Sequence, residues 1–409
     1  MSIPPASSAT RPGLSTDDLG FLFRDEHRAM AAKIRQTVAK VTEFEEAGSS
    51  RPIAKEAGEL ERGIMLELGN AGFLKHFAPQ SGKVDLRAIC LVREGIAWAS
   101  GGADSLFAVQ GLGTYPIHAF ATAEQKARFV PHAVAGRAIA AFGLTEPEAG
   151  TDVASMQTVA VKDGDRWKLT GTKTFISNAP VADQMVVFAN ADPPARRKGI
   201  TAFIVQRKAP GVAVHGPIAM IADHSIGTVH LDGAIVPDAD KLGDVGRGFE
   251  IAMSTLDTFR VSVGAAACGM ARRALDEALH RAVTRKQFGK EIAEFQQIQA
   301  YLADSIAELD AARLLVYRAA LLKDEGAASI TEEAAVAKMY ATEAAQRIID
   351  RCLQIHGGLG VVRGIAVERL YREIRALRIY EGTTEIQRVV IATRRLEKER
   401  QARAKGEGV

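Results

Sequence analysis

A chain of 409 residues, 47% hydrophobic and 25% charged, exceeds what one hydrophobic core organises and sets an expectation of two or three packed domains. Its 52 basic and 49 acidic residues leave a net charge of only +3, without the concentrated basic face that nucleic-acid binding needs. Cys90, Cys268 and Cys352 lie far apart, which argues against a disulfide framework and a zinc site and suits a reducing compartment.

The start, MSIPPASSATRPGLS, has no apolar core of the kind a secretory signal carries, and residues 1–16 read as a flexible tail. No apolar run reaches the roughly 18 residues of a membrane span. The expected location is cytoplasmic, or the mitochondrial matrix in a eukaryote. Residues 17–137 then read as helical. Thr16-Asp17-Asp18 looks like a cap and acidic first turn, followed by apolar positions at Phe23, Met30, Ile34 and Val38. Further helices are expected over Glu59–Ala71, Asp85–Ala99 and Asp104–Phe120.

Residues 138–245 change character. The runs TVAVKDGDRWKLTGTKTFIS, QMVVFAN, GITAFIVQRK and GTVHLDGAIVP are β-rich, and Asp163-Gly164 is a hairpin signal. Strands with no helices between them indicate an antiparallel sandwich or barrel. Over residues 246–409 the helical period returns, with helices expected at Glu250–Thr284, Phe295–Leu322, Thr331–His356, Val362–Ile379 and from about Thr384. Short Gly-containing links suggest an antiparallel bundle. The basic run Arg394–Lys405 alternates with acids and reads as a solvated helix tail. The fold class is therefore α+β, mostly α.

No P-loop is present and no GxGxxG follows a strand, so any nucleotide cofactor is not held by a Rossmann motif. No HExxH-like spacing offers metal ligands, and the nine scattered histidines, His356 beside two glycines included, are expected to be structural. In IYEGTTEIQR, Ile379–Arg388, one acid sits between Tyr380 and Gly382 beside apolar neighbours. Thr384-Glu385-Ile386-Gln387 fits a capping box, and Gly382 permits a sharp turn. Glu381 is thus expected on a bend between helices, where desolvation strengthens a carboxylate as a general base. The same stretch also reads as plain capping, or as an ion pair with Arg375 or Arg378.

Two further stretches are suggestive together and weak singly. AFGLTEPEAGTDVASMQT, Ala141–Thr158, offers short hydroxyls and loop amides suited to a flavin edge or a pyrophosphate, and equally to a surface turn. TRKQFG, Thr284–Gly289, and LQIHGGLG, Leu353–Gly360, end helices with an Arg fork or a glycine pair, and also read as ordinary C-caps.

GLTEPEAGTD, TKTFISN, RKQFG, QIHGGLG and IYEGTTEIQR occur in this order at the corresponding places of a helical–β–helical chain. The set closely resembles the acyl-CoA dehydrogenase family over residues 17–399. The resemblance implies an N-terminal helical domain, a central β domain, a C-terminal four-helix bundle and a homotetramer built as a dimer of dimers. It implies FAD, held partly across a subunit boundary. Phe142, Leu144, Thr145, Gly150 and Thr151 match the segment against the flavin ring and pyrophosphate. Phe175, Ile176 and Ser177 match the segment that packs on the flavin, where the family often has Trp at the Phe175 position. Arg285, Gln287, Phe288 and Gln296 match contacts to the FAD of a neighbouring subunit, as do Gln354, Gly357 and Gly358. Thr383 and Glu385 match loop contacts beyond the base. Thr151, Asp257, Arg260 and Gly382 align with positions that hold the CoA ester.

In the family, the residue at the Glu381 position removes the α-proton of an acyl thioester while hydride leaves the β-carbon for flavin N5. The product is a trans-2-enoyl-CoA, and the electrons pass to an electron-transferring flavoprotein. Some members place the base just before the Arg of an LDxxR stretch. Here LDTFR, Leu256–Arg260, puts Phe259 there, and Phe cannot take a proton. Glu148 and Thr151 depart from the usual Gly and Ser, and IADHSIGTVHLD departs too, which bears on substrate more than cofactor. Oxidases, eliminating enzymes and DNA-binding alkylation-response proteins are competing members. Intact Glu381 and Thr145 weigh against the first two, and the lack of a basic face against the third. Asp104, Ser105 and Ala108 align with a helix lining the acyl pocket; Asp104 suits a polar acyl group or caps a helix opened by Gly101-Gly102-Ala103.

Overall fold

The computed structural model of the chain describes residues 14–49, 58–222 and 224–405, so most of the expected tail lies outside the described residues. In chain order the helices are α1 (Asp25–Ser49), α2 (Glu59–Asn70), α3 (Leu86–Ala99), α4 (Gly101–Phe120), α5 (Ala123–Val134), α6 (Gly248–Thr284), α7 (Gln296–Asp324), α8 (Thr331–His356), α9 (Ala366–Leu377) and α10 (Thr384–Ala404). The strands are β1 (Ala140–Gly143), β2 (Val159–Asp163), β3 (Arg166–Ser177), β4 (Gln184–Asn190), β5 (Ile200–Gln206), β6 (Val212–His215), β7 (Ile226–Pro237), β8 (Lys241–Leu242), β9 (Lys286–Gln287) and β10 (Lys290–Glu291). No described helix is long and apolar enough to cross a membrane. The chain forms two compact units: Met1–Glu43 with Asp85–Gly101 and Phe259–Val409, and Phe44–Val84 with Gly102–Thr258.

In the helical unit every residue of α3 is buried. That requires its charges to be paired, because an ionised group out of water is costly without a partner. Arg87 Nε donates to Asp324 at 2.7 Å, Arg93 to Ser262 at 3.0 Å, and Glu94 accepts from Arg313 Nε at 2.8 Å and from the Tyr317 hydroxyl at 2.5 Å. Asp85 caps α3 by accepting from the Ala88 amide. Cys90, Cys268 and Cys352 are free and buried.

The second unit holds one eight-stranded sheet in the order β6-β7-β3-β2-β4-β5-β8, with β1 beside β4. Strand β4 is buried throughout: Met185, Val187 and Ala189 enter one apolar cluster with Trp167, Phe203 and Val229, while Val186 and Phe188 enter another with Leu144, Ile204 and Ile251. Both faces of the sheet are therefore covered. Most pairs are antiparallel, as expected, but β1 and β2 both pair parallel with β4. Strand β1 reaches the sheet from α5, not through a hairpin, so no tight turn dictates an antiparallel approach. The β2–β3 turn closes on Gly164-Asp165, one residue later than Asp163-Gly164, since Asp163 still pairs with Arg166.

Three expectations at helix ends change. Thr16-Asp17-Asp18 opens no α-helix; Asp18 is drawn to the buried Arg313, and α1 begins at Asp25. Helix α5 was not anticipated, although Thr122 and Gln125 form a complete capping box in front of it. The helix expected over Val362–Ile379 is confined to Ala366–Leu377, because a 3-10 turn over Gly357–Val361 and Gly364 at φ 91° come first.

A buried ion pair fixes the turn after β1. Lys173 on β3 shares the inward face of Trp167 and Leu169, and its Nζ donates to Glu146 Oε1 at 2.6 Å and to the Leu144 carbonyl at 3.2 Å. Glu146 also accepts from the Gln157 and Thr158 amides. Lys173→Met would leave the Glu146 charge buried without its cation and should lower unfolding stability by about 3–5 kcal/mol. The Lys173→Met, Glu146→Leu double variant should recover much of that in chemical denaturation. A double variant no more stable than the single would show that the charge pair is not the cause.

Candidate active site

In the helical unit, α9 ends at Leu377 and α10 begins at Thr384, and the bend between them carries Glu381. Both Glu381 (φ 52°) and Gly382 (φ 91°) adopt left-handed backbone. Glu381 is a non-glycine residue held in a conformation that costs free energy and marks functional sites. The φ of Gly382 favours glycine, and a Cβ there would come within 2.5 Å of Gln387 Nε2 and displace the end of that side chain.

The expected capping box does not form, and the N-cap lies one residue earlier, at Thr383. The Thr383 hydroxyl accepts from the Ile386 amide, whereas Thr384 donates to Glu343 at 2.7 Å. Gln387 Nε2 donates to the Glu381 carbonyl at 3.3 Å and the Gly382 carbonyl at 3.0 Å instead of accepting from an amide. The reason is the bend itself, which turns those two carbonyls inward. Two cations meet the same oxygens: Arg260 Nε donates to Glu381 O at 3.3 Å and Lys338 Nζ to Gly382 O at 2.8 Å. Lys338 is wholly buried on α8; burial pushes its ammonium down to about 8, and the attraction of Glu381 opposes that shift.

Glu381 Oε2 is shut off from solvent. The Arg378 expected as its ion-pair partner donates to Glu343 at 2.8 Å instead. Although burial works the other way, hydrogen bonds from Thr384 and Arg378 hold Glu343 below the ordinary carboxylate range. Phe259, at the other position that can carry a base, is buried on α6. Glu385 is exposed in the first turn of α10.

The remaining expected residues of this unit lie on exposed ends. RKQFG is no simple C-cap: β9 and β10 form a hairpin whose turn residues Phe288 (φ 51°) and Gly289 (φ 81°) are both left-handed, as a primed turn requires. Phe288 is 94% exposed at its tip, with Arg285 and Gln287 exposed beside it and Gln296 opening α7. Gln354, Gly357 and Gly358 are exposed at the end of α8, and a Cβ on either glycine would meet nothing within 4 Å. His356 Nδ1 donates to the Cys352 carbonyl, a structural bond.

In the sheet unit, the segments around residues 142–151 and 173–177 come together. The Thr174 amide donates to the Thr145 carbonyl at 2.9 Å, and Lys173 holds the Leu144 carbonyl. Glu146 and Ala149 exchange backbone hydrogen bonds, which leaves Gly150 and Thr151 exposed beyond the turn. A register shift in β3 between Lys173 and Ile176 puts Phe175 in left-handed backbone at φ 53° and leaves it 60% exposed, while Ile176 enters the core. Phe142 and Thr145 are half-buried. Ser177 Oγ lies 2.8 Å from His224 Nε2, and Ser105 Oγ 3.1 Å from the same nitrogen. Burial pushes His224 down to about 4, so it is neutral at physiological pH. Asp104 is buried in the first turn of α4 and is not its cap, since the helix starts at Gly101. Asp257 is half-buried on α6.

An exposed aromatic face at Phe175 beside hydroxyls at Thr145 and Ser177 and pinned loop backbone is a donor set that fits an isoalloxazine ring. Exposed Arg285, Gln287 and Gln354 suit the polar parts of a dinucleotide. Sequence reasoning missed Lys338, Lys173, Glu146 and His224. It also missed a cavity of about 310 Å³ lined by Ala154, Ala195, Arg196, Arg197 and Lys198. A lysine in the Ala-rich AAVAKMYA run, and one on the inward parity of β3, were the available signals.

The chain matches the family models described as acyl-CoA dehydrogenase, N-terminal domain over residues 24–137, middle domain over 141–234 and C-terminal domain over 246–396. It is 40% identical over 353 residues to the 3-(aryl)acrylate reductase of Clostridium sporogenes, covering 84% of this chain and 93% of the relative. It is 38% identical over 355 residues to the caffeyl-CoA reductase-Etf complex subunit CarC of Acetobacterium woodii, covering 84% and 92%. Among solved structures, butyryl-CoA dehydrogenase from Megasphaera elsdenii aligns with a TM-score of 0.84 at 32% identity, covering 91% of this chain and 99% of that one. With all three domain models in order along the sequence and a fold shared over 91% of the chain, this chain belongs to the acyl-CoA dehydrogenase family of oxidoreductases.

Proposed function

We propose that the chain interconverts an acyl-CoA thioester and its trans-2-enoyl-CoA, with Glu381 moving the α-proton. The observation that carries this is the Glu381 carboxylate itself, with a solvent-excluded oxygen on a left-handed bend pinned by Arg260, Lys338 and Gln387. A carboxylate kept from water is a stronger base toward a weakly acidic C–H, and a pinned bend holds it in one place. The Glu381 amide would donate to the thioester oxygen as negative charge develops there.

Members of this family are FAD-dependent, and FAD would be the resident cofactor here, supplying the hydride acceptor. Phe142, Leu144, Thr145, Gly150, Thr151, Phe175 and Ser177, with the backbone of Ile176, would bind and orient it. Arg285, Gln287, Phe288, Gln296, Gln354, Gly357 and Gly358 would hold the FAD of a neighbouring subunit in a homotetramer, which accounts for an aromatic side chain exposed at a hairpin tip. Thr383 and Glu385 would complete the loop contacts. Thr151, Asp257, Arg260 and Gly382 would position the CoA ester, and the cavity cations Arg196, Arg197 and Lys198 suit its phosphates.

The relatives named as reductases favour a second direction. Microscopic reversibility lets the same Glu381, once protonated, deliver the proton to the α-carbon of an enoyl-CoA. The relative named as part of an Etf complex supports an electron-transferring flavoprotein as partner.

The Glu381→Gln variant should retain FAD yet bleach about 10²–10⁴-fold more slowly on rapid anaerobic mixing with an accepted acyl-CoA. Bleaching at the wild-type rate would end the assignment. Arg197→Glu with Lys198→Glu should raise KM for the CoA ester about tenfold without changing kcat, and should leave KM for a pantetheine ester unchanged. Equal effects on both esters would remove the cavity from the CoA site.

A further inference from the structure

We propose that Lys338 is a positioning residue for the base: its ammonium ties down the bend that carries Glu381 and keeps that carboxylate ionised. The inference rests on the reading of Glu381 as the base.

Lys338 sits on α8 among Ala334, Ala335, Ala337 and Ala341, all buried. An ammonium on such a face has lost its water, and its stem alone gives too little packing to offset that loss. Its compensation is electrostatic. Nζ donates to the Gly382 carbonyl, one residue beyond the base. The charged groups facing it come from four elements: Glu381 on the bend, Arg260 on α6, Glu343 on α8 itself and Glu385 on α10. Glu381 is the strongest attraction among them. Glu343 is already engaged by Thr384 and Arg378, and Glu385 lies 4.0 Å from Arg388.

Arg260 and Arg378 also lie near the bend: Arg260 Nε donates to the Glu381 carbonyl and Arg378 Nε to Glu343. A carboxylate excluded from water tends to take up a proton, and a neutral acid cannot remove one from carbon. A buried ammonium counters that tendency. It also holds the peptide after the base, so the side chain cannot relax by unwinding its left-handed backbone. Charge and hydrogen bond thus do separable work, and substitution can separate them.

Three variants make the test in the holoenzyme, by the pH dependence of anaerobic flavin reduction with an accepted acyl-CoA. Lys338→Gln keeps a donor but removes the charge; Lys338→Met removes both; Lys338→Arg keeps the charge. The acid limb should move up by about one pH unit in the Gln and Met variants, so that reduction below it is about tenfold slower. The Arg variant should return toward wild type, and the Gln variant should keep its FAD content and KM. An acid limb at the wild-type pH in flavin-loaded Gln and Met variants would overturn the proposal. So would an Arg variant shifted as far as they are, or failure of all three to retain flavin, which would make Lys338 a folding residue. The Glu381→Gln variant separates the two readings in the same assay. If it reduces flavin normally, the base assignment falls; if it is slow while the Lys338→Gln limb is unmoved, only Lys338 falls.

Discussion

A lysine ammonium buried against a backbone carbonyl is the constraint on which both candidate loops depend. Lys173 holds the Leu144 carbonyl in the sheet unit, and Lys338 holds the Gly382 carbonyl in the helical unit. Both side chains are wholly inaccessible, and burial pushes both ammonium groups down to about 8. Each is a short-range clamp on a segment between regular elements. Hydrogen bonds to charged donors are stronger than neutral ones and worth most away from water. Two of the buried lysines of the fold thus hold the two candidate loops.

The bend at Glu381 shows what such a clamp achieves. Two consecutive left-handed residues would ordinarily relax, since only one of them is glycine. Three side chains from three helices, Arg260, Lys338 and Gln387, meet the inward carbonyls and make relaxation unfavourable. The same bend leaves one Glu381 carboxylate oxygen, Oε2, shut off from solvent.

The architecture was largely legible in the sequence, because long stretches with 3.6-residue periodicity such as Thr331–His356 declare themselves and the β-rich runs have no helical competitor. The bend that carries Glu381 was legible too, from Gly382 at the junction of two helical patterns. What escaped were partners distant in sequence. Glu146 and Lys173 are 27 positions apart, and Lys338 and Gly382 are 44 apart. Nothing local in LTEPEAG says that its first acid turns inward. The misplaced caps at Thr16 and Thr384 have the same origin: Arg313 claims Asp18, Glu343 claims Thr384, and tertiary pairing overrides the local rule.

Helix α3 has a consequence for how the chain is made. Leu22 and Ile34 meet it from the amino-terminal side, but its buried Glu94 is bound by Arg313, 219 positions later, and its Arg87 by Asp324. A ribosome adding about 5–20 residues per second exposes LRAICLVREGIAWA for roughly ten seconds or more before those partners emerge. The segment flanking it can collapse first, leaving a sticky apolar cylinder with two arginines and an acid waiting for the carboxyl half. Truncated or stalled chains should therefore be clients for chaperones.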